Sequence, residues 1–486
     1  MGEGRGEGCA LSIVTDLHPT QQRPALRLII PMVMASAFFL EQLDQTIITT
    51  AIPDIARALS TTPLRLNLAL TSYILSLAVF IPISGWVADR FGMRRTFCGA
   101  IAVFTFGSIC CGVAQNLPML VASRVLQGFG GAMMTPVGRL ILLRSFPRSD
   151  LVTAMAYASI PAIIGPTIGP LLGGAITTYW NWRWIFFVNV PFGLLGILLA
   201  WRFVVEVEET RPEPFDWPGF GICALGMALL EIAIEVLGRH VVPYSVVALL
   251  FVLAIMVLAA YRGYARRNPN AAIDLTQFRT RTFLIGTAAG GLSRIGIASV
   301  PFMLPLMLQI GFGLSPMQSG GITFISSVGT IFIRPMSATL LRTFGFRRLL
   351  LVNTFIAAAG IAGFAMFGPD TPHRWLYAYV LTFGMVRNVQ FNSSQTMTFA
   401  DVPAAALSRA TPLAGVIQQL SQGFGISVAA TLLGLVAGSE SHLSVDNFHS
   451  VFLLLAAIPL LSLFGFVRLH PNDGQVVSRH RVAKEA

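Results

Sequence analysis

Residues 85–95, with the sequence GWVADRFGMRR, form a short basic loop between two apolar runs. The last five residues of this loop recur with one change as FGFRR at residues 344–348, which is 253 positions further along the chain. A similar offset relates the first apolar run, which begins near Leu26, to the ninth, near Thr282. A repeat that keeps its register with the apolar segments is typical of membrane folds built from two similar halves. We therefore interpret the loop as the mark of an internal duplication.

The apolar runs around these loops are long enough to cross a membrane as helices. Of the 486 residues, 54% are hydrophobic and 11% are charged, whereas soluble proteins carry about 25% charged residues. A helix of about 20 residues spans the hydrocarbon core of a bilayer. The runs begin near Leu26, Asn67, Phe97, Met119, Val152, Trp184, Trp217, Pro243, Thr282, Pro316, Arg347, Arg374, Ala410 and Ser450. The sequence predicts an all-α integral membrane protein with about 14 transmembrane helices.

The duplication divides the predicted helices into two bundles of six. We expect an N-terminal bundle at residues 26–204 and a C-terminal bundle at residues 282–468. Residues 205–281 then form a linker that contains two additional helices. Residues 1–25 and 469–486 are polar tails. This order of six, two and six helices is the domain organisation that the duplication predicts.

The basic residues predict the orientation of these helices. With an even number of spans, both chain ends lie on the same side of the membrane. Of the 33 Lys and Arg residues, about 23 fall on the side of the chain ends and about five on the other side, and cytoplasmic loops are the ones that carry such an excess. Both termini are therefore predicted to be cytoplasmic.

The residues present argue against several classes of function. The net charge of +11 does not indicate nucleic-acid binding, because the basic residues are spread over short loops. A phosphate-binding P-loop needs a Gly-Lys-Ser/Thr run, and the single lysine, Lys484, stands in the C-terminal tail. Four cysteines lie in apolar segments without CxxC spacing, and the histidines fall in tails, loops and span ends. We expect neither a metal site nor a disulfide framework.

The loop at residues 85–95 resembles the G-x-L-a-D-r-x-G-r-k signature of the major facilitator superfamily of membrane transporters. The residues concerned are Gly85, Asp89, Arg90, Gly92 and Arg94. The physical role expected of this loop is a tight turn at glycine, beside which the Asp89 carboxylate accepts hydrogen bonds from helix termini and arginines. Such contacts would hold the cytoplasmic side closed.

Two further motifs are similar to patterns of that superfamily. Residues 124–132, RVLQGFGGA, are similar to its R-x-x-q-G pattern, in which Arg124, Gln127 and Gly128 stand. The fifth span matches the G-x-x-x-G-P-x-x-G-G pattern of the antiporter branches through Gly165, Gly169, Pro170, Gly173 and Gly174. Small residues let helices approach closely, and prolines let a helix bend between two states.

Residues 43–53, LDQTIITTAIP, and residues 182–193, WRWIFFVNVPFG, carry the most specific resemblance. Together with the number of spans, they are similar to the fourteen-helix drug:proton antiporter family of the EmrB and QacA type. Residues 279–283 and 301–309 are similar to its MdtD-like branch. One departure is Thr49, where that family usually has Asn.

The resemblance implies a major facilitator fold in the cell inner membrane that exports small molecules in exchange for protons by alternating access. It implies a proton gradient and no cofactor. The implied partners are a small-molecule substrate, protons and the lipid bilayer, without nucleic acid, while a periplasmic adaptor stays an open question. One alternative is a dedicated exporter of an organic anion or metal chelate. A remoter one is a membrane sensor that transports nothing.

Ionisable residues inside the spans are candidates for function, because each is costly in lipid. Glu41 and Asp44 lie three residues apart and so share one face of the first span. We predict that they carry the transported proton. Asp44 is the stronger candidate of the two, because the family motif includes it. The alternative is that the carboxylates are fixed structural partners of other residues. A rise of about 1.5 Å per residue places Arg124 at a depth compatible with contact to Asp44. We hypothesise that Arg124 holds Asp44 ionised until substrate or helix movement separates them.

The second half has two arginines near the membrane midplane, Arg294 and Arg387. A polar stretch that contains Asn388 and Gln390 follows Arg387. We predict that these four residues bind substrate, and two arginines suit a carboxylate or phosphate better than a lipophilic cation. The alternative is that the arginines cap backbone carbonyls or pair with the carboxylates of the first span.

We expect the substrate in a midplane cavity between the bundles, lined by Glu41, Asp44, Arg294, Arg387 and Asn388. Outside the duplicated halves, the seventh span carries two glutamates four residues apart, Glu231 and Glu235. Their spacing places them on one helix face. We expect that face to pack on the eighth span or on a partner protein.

Overall fold

The computed structural model describes residues 26–146, 148–204, 206, 214–237, 242–268, 270–403, 406–438 and 443–478. Within these ranges the chain forms helices joined by turns and short loops, and no strand is present. The predicted tail at residues 1–25 lies outside the described residues, as do residues 479–486 of the second tail and most of residues 205–213.

We number the fourteen main helices of the described chain α1 to α14 in chain order. The first six are α1 (Leu26–Ile47), α2 (Pro63–Phe80), α3 (Met93–Gly112), α4 (Leu117–Ser145), α5 (Arg148–Tyr179) and α6 (Asn189–Phe203). The two additional helices are α7 (Trp217–Leu237) and α8 (Tyr244–Arg267). The last six are α9 (Arg281–Leu306), α10 and α11 (the two parts of Pro316–Ala362, on either side of a kink at Gly345), α12 (His373–Phe399), α13 (Leu407–Ala437) and α14 (Val445–Leu461).

The lengths of these helices confirm the predicted membrane architecture. By length and composition, nine helical stretches of the described chain are able to cross a membrane, and one of them, Pro316–Met366, contains both α10 and α11. The remaining four helices, α1, α4, α5 and α12, have 22, 29, 32 and 27 residues. At about 1.5 Å per residue, each exceeds the ~30 Å hydrocarbon core. The prediction of an all-α membrane protein with about 14 spans is confirmed.

The duplicated loop has a glycine with positive φ in both halves. Gly92 joins the short helix Ser84–Phe91 to α3 with a φ of 88°, and Gly345 joins α10 to α11 with a φ of 67°. Glycine adopts positive φ without the steric penalty that a Cβ brings. The sequence repeat at residues 91–95 and 344–348 therefore corresponds to a repeated turn in the fold.

Polar residues fix where several helices begin. We call the membrane side on which α1 begins the terminal side, and the opposite side the distal side. On the distal side, the side chains of Thr62, Asn116, Ser315 and Ser444 accept backbone hydrogen bonds in the first turns of α2, α4, α10 and α14. Such caps satisfy N–H groups that have no partner within a helix.

The fourteen helices pack as two groups of six with α7 and α8 beside them. α1 to α6 contact one another, and so do α9 to α14. The main contacts between the two groups join α5 to α10 and α2 to α13. α7 and α8 pack on each other, and α7 also contacts α13 and α2 at the edge where the two groups meet.

Hydrogen bonds join the two groups on the distal side. The backbone N–H of Met317 donates to Oγ1 of Thr178 at 3.0 Å, which links α10 to α5. Nε2 of Gln309, just after α9, donates to the carbonyl oxygen of Thr50, just after α1, at 2.9 Å. In this conformation the distal ends of the two groups are therefore in direct contact.

Candidate functional site

Asp44 lies at the centre of a buried polar cluster in the first group of helices. The residue is 0% exposed, and its Oδ2 lies 2.6 Å from Nη1 of Arg124 on α4. Its Oδ1 accepts hydrogen bonds from Nε2 of Gln127 at 2.9 Å and from Nδ2 of Asn189 at 3.1 Å. A buried charge requires partners of this kind, because burying an isolated charge is costly. Donors from α4 and α6 therefore hold one carboxylate of α1.

Arg124 is held from several sides besides Asp44. The residue is 1% exposed; its Nε donates to the carbonyl oxygen of Ala69 on α2 at 3.1 Å, and its Nη1 donates to Oε1 of Gln127 at 2.8 Å. The guanidinium carbon lies 4.2 Å from the centre of the Tyr73 ring. Planar stacking and several donors in fixed directions suit arginine better than lysine. The structure thus brings Asp44 and Arg124 into contact, the two residues for which the sequence predicts compatible depths in the membrane.

The cluster also includes residues for which no role was predicted from sequence. Nδ2 of Asn189 donates to Oγ of Ser108 on α3 at 3.0 Å as well as to Asp44. Asn189 stands in the WRWIFFVNVPFG motif and is a buried amide among apolar neighbours. Its place in that motif could have identified Asn189 as a functional residue. No comparable sequence feature marks Tyr73.

Glu41 lies one turn of α1 away from Asp44, toward the terminal side, and has a different partner. It is 6% exposed and accepts a hydrogen bond from the hydroxyl of Thr135 on α4. The i, i+3 spacing places both carboxylates against α4. Glu41 and Asp44 are therefore two separate sites on the same helix face.

A cavity of about 440 Å³ lies between the two groups of helices. Residues of α1, α2, α4 and α5 form one wall, and residues of α9, α10, α12 and α13 form most of the other. The polar lining side chains are Gln42, Gln45, Thr46, Thr49, Tyr73, Arg124, Arg294, Thr323, Ser326, Ser327, Thr330, Arg387, Asn388, Gln418, Gln419 and Gln422. Such a cavity has the size and mixed polarity of a small-molecule site.

Arg294 and Arg387 both line this cavity, and no Asp or Glu is among its described lining residues. The guanidinium carbon of Arg294 lies 4.5 Å from the centre of the Phe391 ring, and its buried Nε has no hydrogen-bond partner. Nη2 of Arg387 donates a long bond of 3.4 Å to Oγ1 of Thr330. Neither arginine pairs with the carboxylates of α1, because Asp44 is bound to Arg124 and Glu41 to the hydroxyl of Thr135. The cavity therefore holds two positive charges that no carboxylate in its wall balances.

Three residues predicted to touch the substrate need correction. Glu41 and Asp44 do not line the cavity, because the cavity face of α1 presents the neighbouring glutamines instead. Gln390 also lies away from it, since it bonds at 2.9 Å to both Asn353 and Thr354 of α11. At about 100° per residue, Gln390 is turned about 200° around α12 from Asn388, which does line the cavity.

Asn388 reaches the cavity with its side chain already bonded. Its Nδ2 donates to the carbonyl oxygen of Thr330 at 2.7 Å, and its Oδ1 accepts from Nδ2 of Asn392 at 2.5 Å. The first of these bonds joins α12 to α10 beside Arg387. Asn388 therefore positions the wall that these two helices form. A substrate can use only the hydrogen-bonding capacity of its amide that these two bonds leave free.

The signature loop forms ion pairs within the first group of helices. Asp89 accepts a hydrogen bond from Nη2 of Arg144, at the end of α4, at 3.1 Å. Glu206, just after α6, accepts from the backbone N–H of Arg94 at 3.2 Å, and its other oxygen lies 3.2 Å from Nε of Arg94. Arg90 is exposed, and nothing lies within 4 Å of the position that a Cβ on Gly85 would take. Arg144 and Glu206 were not predicted, because only the fold brings them to this loop.

The small residues of α5 allow close helix contacts on two faces. A Cβ on Gly165 would lie 3.0 Å from the backbone of Leu43, and Gly169 and Gly173 face the same helix, α1. Gly174 faces the backbone of Pro316 at the start of α10, and Pro170 lines the cavity. On α4, Gly128 lies against α2 in the same manner. The glycine motif therefore lets α5 pack closely on α1 within its own group and on α10 of the other group.

Gly174→Val is expected to prevent the distal ends of α5 and α10 from closing. A Cβ at this position would lie 3.0 Å from the carbonyl carbon of Pro316, and backbone cannot give way as a flexible side chain does. We expect greater labelling of a cysteine introduced at Met317 by a membrane-impermeant thiol reagent. Gly221→Val on α7, where nothing lies within 4 Å of an added Cβ, is the matched control. Equal labelling in all backgrounds would contradict this contact as the distal closure.

Comparisons with known proteins agree with this architecture. A family model described as Major Facilitator Superfamily matches residues 34–426. A protein of Pectobacterium carotovorum named putative multidrug resistance protein MdtD is 38% identical over 437 residues, which cover 88% of this chain and 93% of that protein. A protein of the same name from Salmonella typhimurium is 36% identical over 466 residues, which cover 92% of this chain and 97% of that protein.

Solved structures share the fold at low sequence identity. A peptide transporter in complex with sulfate aligns with a TM-score of 0.69 at 14% identity, covering 92% of this chain and 95% of that structure. A bacterial homologue of the human lysosomal transporter Spinster aligns with a TM-score of 0.63 at 16% identity, covering 94% and 99%. The family match, the relatives and the fold agree, and this chain therefore belongs to the major facilitator superfamily of membrane transporters.

Proposed function

We propose that this transporter exports small molecules from the cytoplasm in exchange for protons by alternating access. Relatives that carry the name of a multidrug resistance protein support the export of small molecules. The observation that carries the proton coupling is the buried ion pair of Asp44 and Arg124. Arg124 lines the cavity and Asp44 lies behind it, so that proton and substrate act on the two sides of one ion pair.

A proton that binds Asp44 removes the negative charge that balances Arg124. The guanidinium then keeps its bonds to Ala69 and Gln127 but has no ionic partner at Asp44. An unbalanced charge in a buried site costs about 3–5 kcal/mol. The protonated protein therefore favours a different arrangement of α1 and α4, or a ligand that approaches Arg124 from the cavity. In this way proton binding biases the conformation in which substrate is held.

We propose that the two groups of helices move against each other about the cavity. Residues 26–204 and 282–468 are the moving bodies in this account, and residues 205–281 connect them. The glycine face of α5 supports this proposal, because small residues allow a contact to form and separate without rearranging side chains. The hydrogen bonds on the distal side must break when the distal ends separate.

We propose that the terminal side faces the cytoplasm and that the membrane is the cell inner membrane. The excess of Lys and Arg on the terminal side supports this orientation. The closed distal ends then face outward, and the pair of Asp89 and Arg144 lies at the cytoplasmic surface. The proposed cycle begins, in this conformation, with the outer route closed.

The charge of the cavity favours substrates that carry a negative group. Arg294 and Arg387 face it without a carboxylate among the described lining residues, and arginine binds carboxylates and phosphates through paired hydrogen bonds. This observation favours a second candidate function, a dedicated exporter of an organic anion or a metal chelate. The two candidates share the proton step and differ in the range of substrates.

Arg294→Gln and Arg387→Gln are each expected to weaken transport of small carboxylates by about tenfold or more, because a hydrogen bond to a charged group contributes about 1.5–3 kcal/mol. Transport of a lipophilic cation should not fall. The measurement is proton-driven uptake of labelled benzoate and of tetraphenylphosphonium into inside-out vesicles. Arg334→Gln is the matched control, since Arg334 is exposed on α10 and does not line the cavity.

The outcomes of this experiment separate the candidates. Uptake of benzoate alone, lost in both arginine variants, favours the dedicated anion exporter. Uptake of both compounds favours the multidrug exporter. Benzoate uptake that both variants leave intact would contradict the role given to the two arginines, and no uptake of either compound by the wild type would count against the proposed function.

A further inference from the structure

Two buried carboxylates of α7 contact both groups of helices. Glu231 and Glu235 are each 6% exposed. Oγ of Ser427 on α13 donates to Oε1 of Glu231 at 2.6 Å, and Nδ2 of Asn67 on α2 donates to Oε2 of Glu235 at 3.0 Å. The expectation that these glutamates face α8 or a partner protein is therefore wrong. They face the line along which α2 and α13 meet.

Glu231 is separated from the cavity by one helix. Gln422 and Ile426 of α13 line the cavity, and the next residue after each, Gly423 and Ser427, faces Glu231. At about 100° per residue, these two pairs lie on adjacent faces of α13. A Cβ on Gly423 would lie 4.0 Å from Oε2 of Glu231, so that the glycine leaves room for the carboxylate. Movement of α13 therefore acts on the cavity and on Glu231 together.

No cation pairs with Glu231 among the described residues. The titratable group nearest to it in sequence on α7 is Glu235, one turn away, which has the same charge. Residues 410–437 of α13 and residues 245–260 of α8 contain no titratable side chain. On α2, Arg65 is exposed at the distal end and Tyr73 packs under Arg124.

Among the described residues, one hydroxyl donates a hydrogen bond to the buried carboxylate of Glu231. Asn67 is 2% exposed, and its Oδ1 is buried without a hydrogen-bond partner while its Nδ2 bonds to Glu235. The Glu231 carboxylate thus has one hydrogen-bond donor, the Ser427 hydroxyl, and the Asn67 amide oxygen on α2 is a second buried acceptor that has none. Leaving buried acceptors unsatisfied is costly. A bound proton supplies a donor and removes a charge.

We propose that Glu231 is a second proton-binding group of this transporter, distinct from Asp44, and that it exchanges its proton when α2 and α13 move apart. This inference rests on the alternating access proposed above. Glu231 is bonded to α13 and Glu235 to α2, so separation of the two groups strains or breaks at least one of these contacts. Loss of the Ser427 hydroxyl removes the donor that Glu231 has for its ionised form. The proton load of Glu231 thus follows the conformation.

Infrared difference spectroscopy of the full-length protein in lipid nanodiscs tests this proposal without any substrate. A protonated carboxyl group in an apolar site gives a carbonyl stretching band that vanishes when the group ionises. We expect a pH-dependent band that is lost in Glu231→Gln and kept in Asp44→Asn. Asp446→Asn is the control, because the side chain of Asp446 is 98% exposed at the start of α14; it should keep the band.

Ser427→Ala provides a second variant that retains the carboxyl group. We expect the carbonyl band of Glu231 to shift in frequency in this variant, and the carboxyl group to ionise at a different pH. The reason is that the hydroxyl that bonds Oε1 is gone. A band that is unchanged in both Glu231→Gln and Ser427→Ala would overturn the proposal. Failure of the proposed function appears elsewhere, as absent substrate-linked proton flux, so the two failures are distinguishable.

Discussion

Asp44→Asn should abolish proton-driven accumulation of substrate, so that substrate only equilibrates across the membrane. Asparagine has the size of aspartate, and its oxygen can still accept hydrogen bonds from Gln127 and Asn189. It cannot bind and release a proton, and the energy of the proton gradient is then not available for transport. The measurement compares net uptake under a pH gradient with exchange of labelled for unlabelled substrate, which requires no net proton movement.

Exchange should survive in Asp44→Asn while net uptake is lost, and this split separates a coupling defect from a folding defect. Asp54→Asn is the control. Asp54 lies on the short helix Ile52–Ala58, where it pairs with Arg57 on the distal surface, outside the buried cluster. Its replacement should leave both activities intact. Concentrative uptake by Asp44→Asn would exclude this carboxylate as the coupling group.

Arg124→Gln and Asp44→Asn should each lower the free energy of unfolding by about 3–5 kcal/mol, because each leaves the other charge buried without its partner. The double variant Asp44→Asn with Arg124→Gln contains no unbalanced charge in the cluster. It should therefore regain most of the lost stability while remaining uncoupled. Thermal unfolding in nanodiscs and the uptake assay measure the two properties on the same samples.

The exposed pair of Asp54 and Arg57 is the reference for this double-variant cycle. The side chain of Arg57 is 77% exposed, and exposed ion pairs contribute about 0–1 kcal/mol. Its single and double neutral variants should therefore differ little from the wild type. If the losses at Asp44 and Arg124 simply add in the double variant, the two side chains do not act as a pair.

Much of the architecture was predictable because it depends on local sequence. Apolar length sets the number of helices, and the loop repeat at residues 91–95 and 344–348 marks the same turn in both halves. Asp44 and Arg124 could be paired in advance because depth along a straight helix follows from residue number. Neither inference requires knowledge of how the helices are rotated.

Residues whose role depends on helix rotation or on distant packing were not predictable. Gln390 is close to Arg387 in sequence, yet it faces α11 because of its angular position on α12. The partners of Glu231 and Glu235 depend on where the additional helices dock against the two groups, and no local pattern specifies that position. Glu206 reaches the signature loop for the same reason, since more than a hundred residues separate it from Arg94.

In the proposed mechanism, Asp44 couples proton movement to substrate movement. The most direct test is the lumen pH of proteoliposomes loaded with pyranine, measured when benzoate or tetraphenylphosphonium is added outside in the absence of a pH gradient. For the wild type we predict an alkaline shift of the lumen as substrate enters and protons leave, and no shift for Asp44→Asn. An equal shift in Asp44→Asn, or an acid shift in the wild type, would contradict proton antiport through this carboxylate.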